Sequence, residues 1–306
     1  MQQDLFSVTF PTEQQGWACG RWGTVMHTDD GGQSWTQQDS NTDYTLSSIC
    51  FVDAQNGWAV GEGGTIIHTG DGGQSWVNQK CPVDLFLMGT FFVDSQKGWA
   101  VTEWTTILYT EDGGENWEVQ FKDGDFILKS ISFCDPLNGW AVGEYGYTYH
   151  TADGGQTWEH QAGSFAMSED AFELVGGSTL FNVCAIDPMR ALVVGIDGYL
   201  ARTADGGKTW EETGEGIPRT QLFGVSTDKQ GKTIIIGGKR NLLACSDGGT
   251  NFSTPKIEPS VKYGWIYGIT PRGSKGFVAV GKDGWIYLGD SKGATWQRST
   301  IPGGSE

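Results

Sequence analysis

An eight-residue pattern, Thr-x-Asp-Gly-Gly-x-x-Trp, recurs along the chain at nearly even steps. It reads TDDGGQSW at Thr28–Trp35, TGDGGQSW at Thr69–Trp76, TEDGGENW at Thr110–Trp117, TADGGQTW at Thr151–Trp158 and TADGGKTW at Thr203–Trp210. It then degrades to CSDGGTNF at Cys245–Phe252 and GDSKGATW at Gly289–Trp296. The closing aromatics are spaced by 41, 41, 41, 52, 42 and 44 residues. Seven copies at this period fill the chain. A repeat of roughly 40–45 residues with strand-like content is the signature of a propeller blade.

Two further elements recur in register. A GWAVG segment or a relative precedes each Asp motif: Gly16–Gly20, Gly57–Gly61, Gly98–Thr102 and Gly139–Gly143, weakening to Ala191–Gly195, Thr233–Gly237 and Phe277–Gly281. Before it lies a short apolar run, starting at Leu5, Leu46, Leu87, Leu128, Leu180, Leu222 and Ile266. Each unit therefore reads as four short strands: A (the apolar run), B (GWAVG), C (typified by GTIIHT) and D (the tail after the motif tryptophan). The strands are rich in β-branched and aromatic residues, with Gly, Asp and Asn between them. No stretch carries a sustained helical period. One such sheet cannot bury both faces, whereas seven stacked around an axis can. The fold expected is an all-β, seven-bladed β-propeller of four-stranded antiparallel blades, one domain over residues 1–306.

The Asp motif suits a tight turn between C and D. Its carboxylates (Asp30, Asp71, Asp112, Asp153, Asp205 and Asp247) are placed to accept turn N–H groups, and its glycines permit positive φ. The tryptophan five residues after the Asp is expected between blades, where an indole removes roughly 150–250 Å² from water. A sugar-stacking role for these tryptophans is the alternative to this core role.

The chain carries 20 Lys and Arg against 37 Asp and Glu, a net charge of −17. Nucleic acid is disfavoured as a partner, because a phosphate backbone needs a basic track. Docking on an anionic membrane is disfavoured for the same reason. The sequence shows no transmembrane segment and no signal peptide. The six cysteines (Cys19, Cys50, Cys81, Cys134, Cys184 and Cys245) form no C-x-x-C or Cys/His spacing that suggests zinc. Four of them (Cys19, Cys50, Cys184 and Cys245) fall inside expected strands. One or two disulfides remain open; no cofactor or metal is expected.

The repeated combination GWAVGE-x-GTIIHT-x-DGG-x-SW resembles the photosystem II stability/assembly factor family, along essentially the full length and most closely in the first five blades. The Asp motif alone also occurs in sialidases, sortilin-type receptors and some xyloglucanases; its fixed spacing to GW-[AV]-V-G is the more specific signal. The resemblance implies a seven-bladed propeller, usually exported, without enzymatic activity, whose photosynthetic members help assemble reaction-centre subunits in the thylakoid lumen. Those members are associated with an arginine-rich surface strip. Here the seven arginines (Arg21, Arg190, Arg202, Arg219, Arg240, Arg272 and Arg298) are scattered over different blades, so no binding residue is carried over.

In a propeller, A–B and C–D connections share one face, and B–C and D–A connections share the other. The first face is uniform here. On the second, the B–C tips read GRWGT, GEGGT, TEWTT, GEYGY, GIDGY, GGKRN and GKDGW. They display Trp22, Trp104 and Tyr145 beside Glu62, Glu103, Glu144 and Asp197, then Lys239, Arg240 and Lys282. The one large insertion, about residues 162–178, falls in the D–A connection between blades four and five. Its Phe165, Met167, Phe172 and Leu174 are an apolar anchor or simply pack on the blade below. Divergence with aromatic display argues for recognition, although drift also diversifies loops. The candidate partner site is therefore Trp22, Glu62, Glu103, Trp104, Glu144, Tyr145, Phe165, Phe172, Lys239 and Arg240.

Enzymatic readings are weaker. A sialidase needs three converging arginines, yet the only charged residue of the seven A strands is Lys129. A glycosidase needs two carboxylates about 5–10 Å apart. The acids after strand A (Asp53, Asp94, Asp135, Asp187 and Asp228) recur regularly, which fits turn capping better than a unique pair. His27, His68 and His150 recur in one register and are repeat furniture, and the fourth histidine, His160, has no plausible nucleophile at a motif spacing. The function expected is a non-enzymatic interaction or assembly module that displays the variable face to a protein, for example a membrane-complex subunit. It is expected outside the cytoplasm (periplasm, thylakoid lumen or cell surface), with the signal peptide absent from this chain. A carbohydrate-binding or glycoside-hydrolase-like propeller using surface aromatics is the alternative. With strand A of blade one at the start and strand D of blade seven at the end, ring closure is expected to rest on side-chain packing rather than on a swapped strand.

Overall fold

Each apolar run forms the innermost strand of a small antiparallel sheet. A computed structural model describes residues 3–161, 178–214 and 216–299. The seven A strands are Leu5–Thr9, Leu46–Phe51, Leu87–Phe92, Leu128–Phe133, Leu180–Asp187, Leu222–Thr227 and Ile266–Pro271. The second blade shows the pattern: after A come B (Gly57–Gly61), C (Ile66–Thr69) and D (Val77–Asn78), paired in that order. Five blades are such four-stranded sheets, ordered A-B-C-D from the axis outward. Among the described residues the only helical elements are three-residue 3-10 turns.

The hydrophobic core is divided into seven slabs, one at each blade boundary. The first joins Trp17, Cys19 and Val25 of blade one to Leu46, Ile49, Phe51, Ala59, Ile67 and Trp76 of blade two. The last joins blade seven (Val278, Val280, Ile286) back to blade one (Leu5, Val8, Trp35). Two tryptophans from different motifs clamp one phenylalanine at each early boundary. Trp17 of strand B stacks on Phe51 at 3.8 Å and 8°, and Trp76 of the Asp motif meets the same ring edge-on at 5.8 Å. Trp58, Phe92 and Trp117 repeat the arrangement one blade on. His27 and His68 cover the other face of these indoles at 4.6 and 4.8 Å, which is why histidine recurs in that register.

Hydrogen bonds tie the blades at both radii. Near the axis, Ser7, Ser48 and Ser130 hydroxyls accept the N–H of Ile49, Thr90 and Val183, each on the next blade's A strand. The innermost strand has an unpaired edge, and a small polar side chain from its neighbour satisfies it. At the rim, Gln38, Gln79 and Gln161, at or just past the end of strand D, donate to the Gly72, Gly113 and Gly206 carbonyls of the next Asp turn, at 3.0, 2.8 and 2.8 Å.

The Asp turn is built as its sequence demands. Thr69 Oγ1 donates to Asp71 Oδ1 at 2.8 Å and accepts from Gly73 N–H at 2.8 Å. Ser75 donates its N–H and its hydroxyl to the same carboxylate at 2.9 and 2.6 Å. Gly72 and Gly73 lie at φ +73° and +83°, where a Cβ is disfavoured. These hydrogen bonds, the Ser75 hydroxyl foremost, hold Asp71 down to about 2. The turn recurs at Asp30, Asp112, Asp153 and Asp205, and at Asp247 with Cys245 in the threonine's place. In blade seven the capping acid is Asp290, one residue earlier in the motif, which accepts from Ala294 and Thr295 N–H.

Blade six departs from the expected four strands. Its sheet has three, and blade seven has five. Ser253 still exchanges both backbone bonds with Ala244 at 2.9 Å. Two residues later the chain leaves, and Lys256–Glu258 pairs in parallel with Thr295–Arg298 of blade seven. The cause is Pro255. In blades two, four, five and seven the residue in this register (Gln79, Gln161, Thr213, Ser299) donates its N–H to the first carbonyl of strand C. Proline has no N–H to give.

Among the described residues the ring closes by packing, as expected, with no strand exchanged between blades seven and one. A polar latch accompanies the packing. Glu13 of blade one accepts from Ser274 N–H and Oγ at 2.7 and 2.6 Å, and Arg272 donates to the Gly31 carbonyl. All six cysteines are unpaired, which removes the disulfide alternative.

Candidate functional site

All seven A strands open with a β-bulge. Leu46 pairs with Gly61 and Ser48 with Val60, leaving Ser47 as the extra residue; the same shift recurs in every blade. A bulge re-aims its side chain. The bulged residues are Phe6, Ser47, Met88, Lys129, Phe181, Phe223 and Tyr267. All are half-buried and line the axial channel, a cavity of about 320 Å³. They sit at the end of strand A that adjoins the B–C tips.

Four of the seven are aromatic, from consecutive blades five, six, seven and one. Their rings form a chain: Phe181 to Phe223 at 5.2 Å, Phe223 to Tyr267 at 5.4 Å, Tyr267 to Phe6 at 5.2 Å. Trp265 joins it, 6.0 Å from Phe223 and 5.9 Å from Tyr267. Arg21 and Lys239 place cations over Phe6 and Trp265 at 5.6 and 6.0 Å. Burial pushes the Tyr267 phenol up to about 12, so it stays a neutral hydrogen-bonding group. Across the mouth, Lys129 Nζ lies 3.4 Å from Glu144 Oε1. Such an arc offers an apolar, polarisable surface with a cationic rim.

The B–C tips surround this mouth. Each is a tight turn whose first left-handed residue is Trp22, Gly63, Trp104, Tyr145, Asp197, Arg240 or Asp283, at φ between +53° and +65°, followed in all but blade six by a second one (Gly23, Gly64, Thr105, Gly146, Gly198 and Gly284). At the first of these positions only blade two uses glycine. In blade one the turn is fixed by Arg21 N–H to Asp4 O and Gly23 N–H to Tyr44 O, at 3.0 and 2.9 Å. An aromatic residue held there carries about 1–2 kcal/mol of local strain. The strained side chains point outward: Trp22 is 67% exposed, Trp104 52% and Tyr145 41%, against 1% for Trp76 in the Asp motif. The indoles of Trp22 and Trp104 have no ring neighbour among the described residues, while Tyr145 leans on Phe126 at 5.4 Å.

The other sequence candidates are placed as follows. Glu62 and Arg240 are exposed, and Glu103, Glu144 and Lys239 half-buried, all within the tips. Glu144 also accepts from Ile127 N–H. Phe165 and Phe172, with Met167 and Leu174, lie outside the described residues. Asp53, Asp94, Asp135, Asp187 and Asp228 cap A–B corners; Asp53, for instance, accepts from Gln55 and Asn56 N–H at 2.7 Å each. Three arginines are engaged locally, Arg21 with Asp4, Arg190 with Asp187 and Arg202 with Glu211, and do not converge. Among the described residues no three His, Cys, Asp or Glu gather as a metal site. The aromatic arc is what sequence reasoning missed: its signal is the aromatic second residue of four apolar runs.

The family model of photosynthesis system II assembly factor YCF48 matches residues 1–89, 75–168 and 165–301. The photosystem II assembly lipoprotein Ycf48 of Synechococcus sp. (strain CC9902) is 28% identical over 131 residues, 42% of this chain and 39% of that protein. The match thus spans well under half of that relative's length. A solved structure of YCF48 bound to D1 peptide superposes with a TM-score of 0.73 at 21% identity, covering 94% of this chain and 92% of that one. The GH74 enzyme of Niastella koreensis superposes with a TM-score of 0.75 at 14% identity, over 97% of this chain and 54% of its own. At these identities the superpositions show a shared propeller fold. Because the family model is matched along almost the whole length, the chain belongs to the photosynthesis system II assembly factor YCF48 family.

Proposed function

We propose that this protein is a non-enzymatic assembly factor that holds a protein partner against the face bearing the B–C tips. The observation that carries the reading is the concentration of strained, exposed aromatics (Trp22, Trp104, Tyr145) around an aromatic-lined channel mouth. Aromatic anchors in concave, pre-formed surroundings are what interface hot spots use. A closed ring also loses little ordering entropy on binding. The YCF48 relative bound to D1 peptide supports a protein, such as a photosystem II subunit or its counterpart, as the partner. The lipoprotein relative supports a location outside the cytoplasm.

The test is affinity capture from membranes of the native host with wild type and with Trp22→Ala/Trp104→Ala/Tyr145→Ala. Recovery of the specific partner should fall about tenfold or more in the variant, given more than about 1.4 kcal/mol from such anchors. Equal recovery moves the binding site off this face. The aromatic arc and the GH74 fold likeness also favour a second reading, carbohydrate binding. Saturable binding to a polysaccharide panel, lost in the same variant, would select it.

A further inference from the structure

We propose that the groove beside the third strand of blade six is a docking site for an extended, acidic peptide segment of a protein partner, which adds the outer strand that Pro255 prevents the chain from supplying. The site adjoins the proposed partner face and shares Lys239 and Arg240 with it, but it does not depend on the aromatic tips.

The gap is defined by backbone bonding. Ala244 exchanges its N–H and C=O with Ser253 on the outer side of the sheet. Strand geometry turns the N–H and C=O of Leu242, two residues back, to that same side. At the corresponding carbonyls of other blades (Ile66, Thr148, Leu200, Ile286) an outer-strand N–H arrives at 2.8–3.0 Å. At Leu242 none does among the described residues, because Pro255 stands in that register. Two residues further back, Arg240 N–H is again bonded, to the Gly264 carbonyl at 2.8 Å. The vacancy is therefore one bridge wide, with paired backbone on either side. Asn241 Oδ1, beside it, is buried without a hydrogen-bond partner. Unpaired buried backbone and amide groups are costly and rare in folded proteins.

Space and charge fit the occupant. The departing chain leaves a groove of about 460 Å³ whose floor includes Leu243, Pro255 and Ile257 and whose rim carries Lys239, Arg240 and Lys262. No carboxylate among its described lining residues answers these three cations, in a chain of net charge −17. None of the three forms an ion pair among the described residues. Strand addition supplies affinity through main-chain bonds and specificity through alternate side chains. Apolar residues facing the floor and acidic residues facing the rim match this lining.

The probe is a fluorescein-labelled Thr-Val-Glu-Val-Glu-Thr peptide, capped at both ends and added to the full chain. Fluorescence anisotropy should show saturable binding with a Kd on the order of 0.1 mM that weakens with added salt. Hydrogen exchange at the Leu242 amide should slow on binding. Lys239→Glu/Lys262→Glu, shown by circular dichroism to be folded, should weaken binding at least about tenfold, as should N-methylation of both valines. The Trp22/Trp104/Tyr145 triple alanine variant should bind this peptide as wild type does, so failure of the proposed face and failure of the groove are separable. Equal binding of the N-methylated peptide, equal binding by the charge-reversed variant, or no saturable binding would overturn the proposal. A dimer in sedimentation that protects Leu242 without peptide would place a second copy in the groove and overturn it equally.

Discussion

Trp17 and Trp76 press on the same phenylalanine from two sides, and their truncations should differ in a way that tests the blade-boundary assignment. Trp76 is 1% exposed and Trp17 fully buried. Removing an indole from such a site forfeits burial of roughly 150–250 Å², about 4–6 kcal/mol as an upper bound. Large-to-alanine changes in cores cost about 3–5 kcal/mol. Trp76 Nε1 is buried with no partner, so Trp76→Ala also removes an unsatisfied donor, which offsets part of that cost. Trp17 Nε1 instead donates to the Gly72 carbonyl of the next blade at 3.2 Å, and its ring is stacked on both Phe51 and His27. Trp17→Ala should therefore be the more damaging, by about 1 kcal/mol. Over 306 residues the unfolding entropy is near 640 cal/mol/K, so 4 kcal/mol lowers Tm by about 6 °C. Differential scanning calorimetry at neutral pH measures both. A fall of under about 1 °C for Trp76→Ala, or a larger fall for it than for Trp17→Ala, would refute the clamp.

Three other perturbations probe separate features. Trp104→Gly places at φ +60° the residue that blade two already uses there, and should leave stability unchanged or raise it by up to about 1 kcal/mol while weakening partner capture; a clear loss of stability would mean that the indole is packed rather than displayed. The turn carboxylates Asp71 and Asp205 are held near 2, chiefly by the hydroxyls of Ser75 and Thr209, against an ordinary value of 3.8. Their stabilising effect is complete above about pH 4 and is lost as pH falls through about 2. Tm should drop over that window, and Asp71→Asn should lower Tm at neutral pH but flatten the acid response; an identical acid profile would show the turn bonds to be unimportant. Burial pushes the Cys50 and Cys184 thiols up to about 11 and Cys134 up to about 12, so a disulfide-exchange reagent at pH 8 should label these three slowly in the native protein. All six should label in guanidinium without reductant; fewer than six would reveal a disulfide.

The repeat made the architecture legible because each copy contains everything a blade needs from its neighbours. The period set the number of blades, the Asp-Gly-Gly triplets set the turns, and the recurring tryptophans set the boundaries. What could not be read from alternation was the bulge. A period of two places the first and third residues of each apolar run on opposite terms from the second, and says nothing of an extra residue that turns Phe6, Phe181, Phe223 and Tyr267 to the channel mouth. The strand crossing at blade six has its own signal in the sequence. Pro255 lies three residues after the motif aromatic, in line with Gln38, Gln79, Gln161 and Thr213. Those residues give a backbone or side-chain N–H, or a hydroxyl proton, to strand C or to the next blade. A proline in that line can give no N–H at all.

The copies of a closed repeat must agree wherever they touch one another, and they are free to differ only where they touch something else. Blades one to four keep a strict 41-residue step, while the longer steps, the degraded motifs, the missing outer strand and the run of aromatic bulge residues all fall in blades five to seven and at their junction with blade one. Drift alone accounts for weakened motifs. It does not account for four aromatic rings at one bulge position in four consecutive blades, each within 5.5 Å of the next. Nor does it favour keeping Trp22, Trp104 and Tyr145 in a conformation that glycine would adopt without strain. Strain at an exposed position persists because the surrounding turn over-determines it, and on the proposed partner face a bound partner would give that strained display a use.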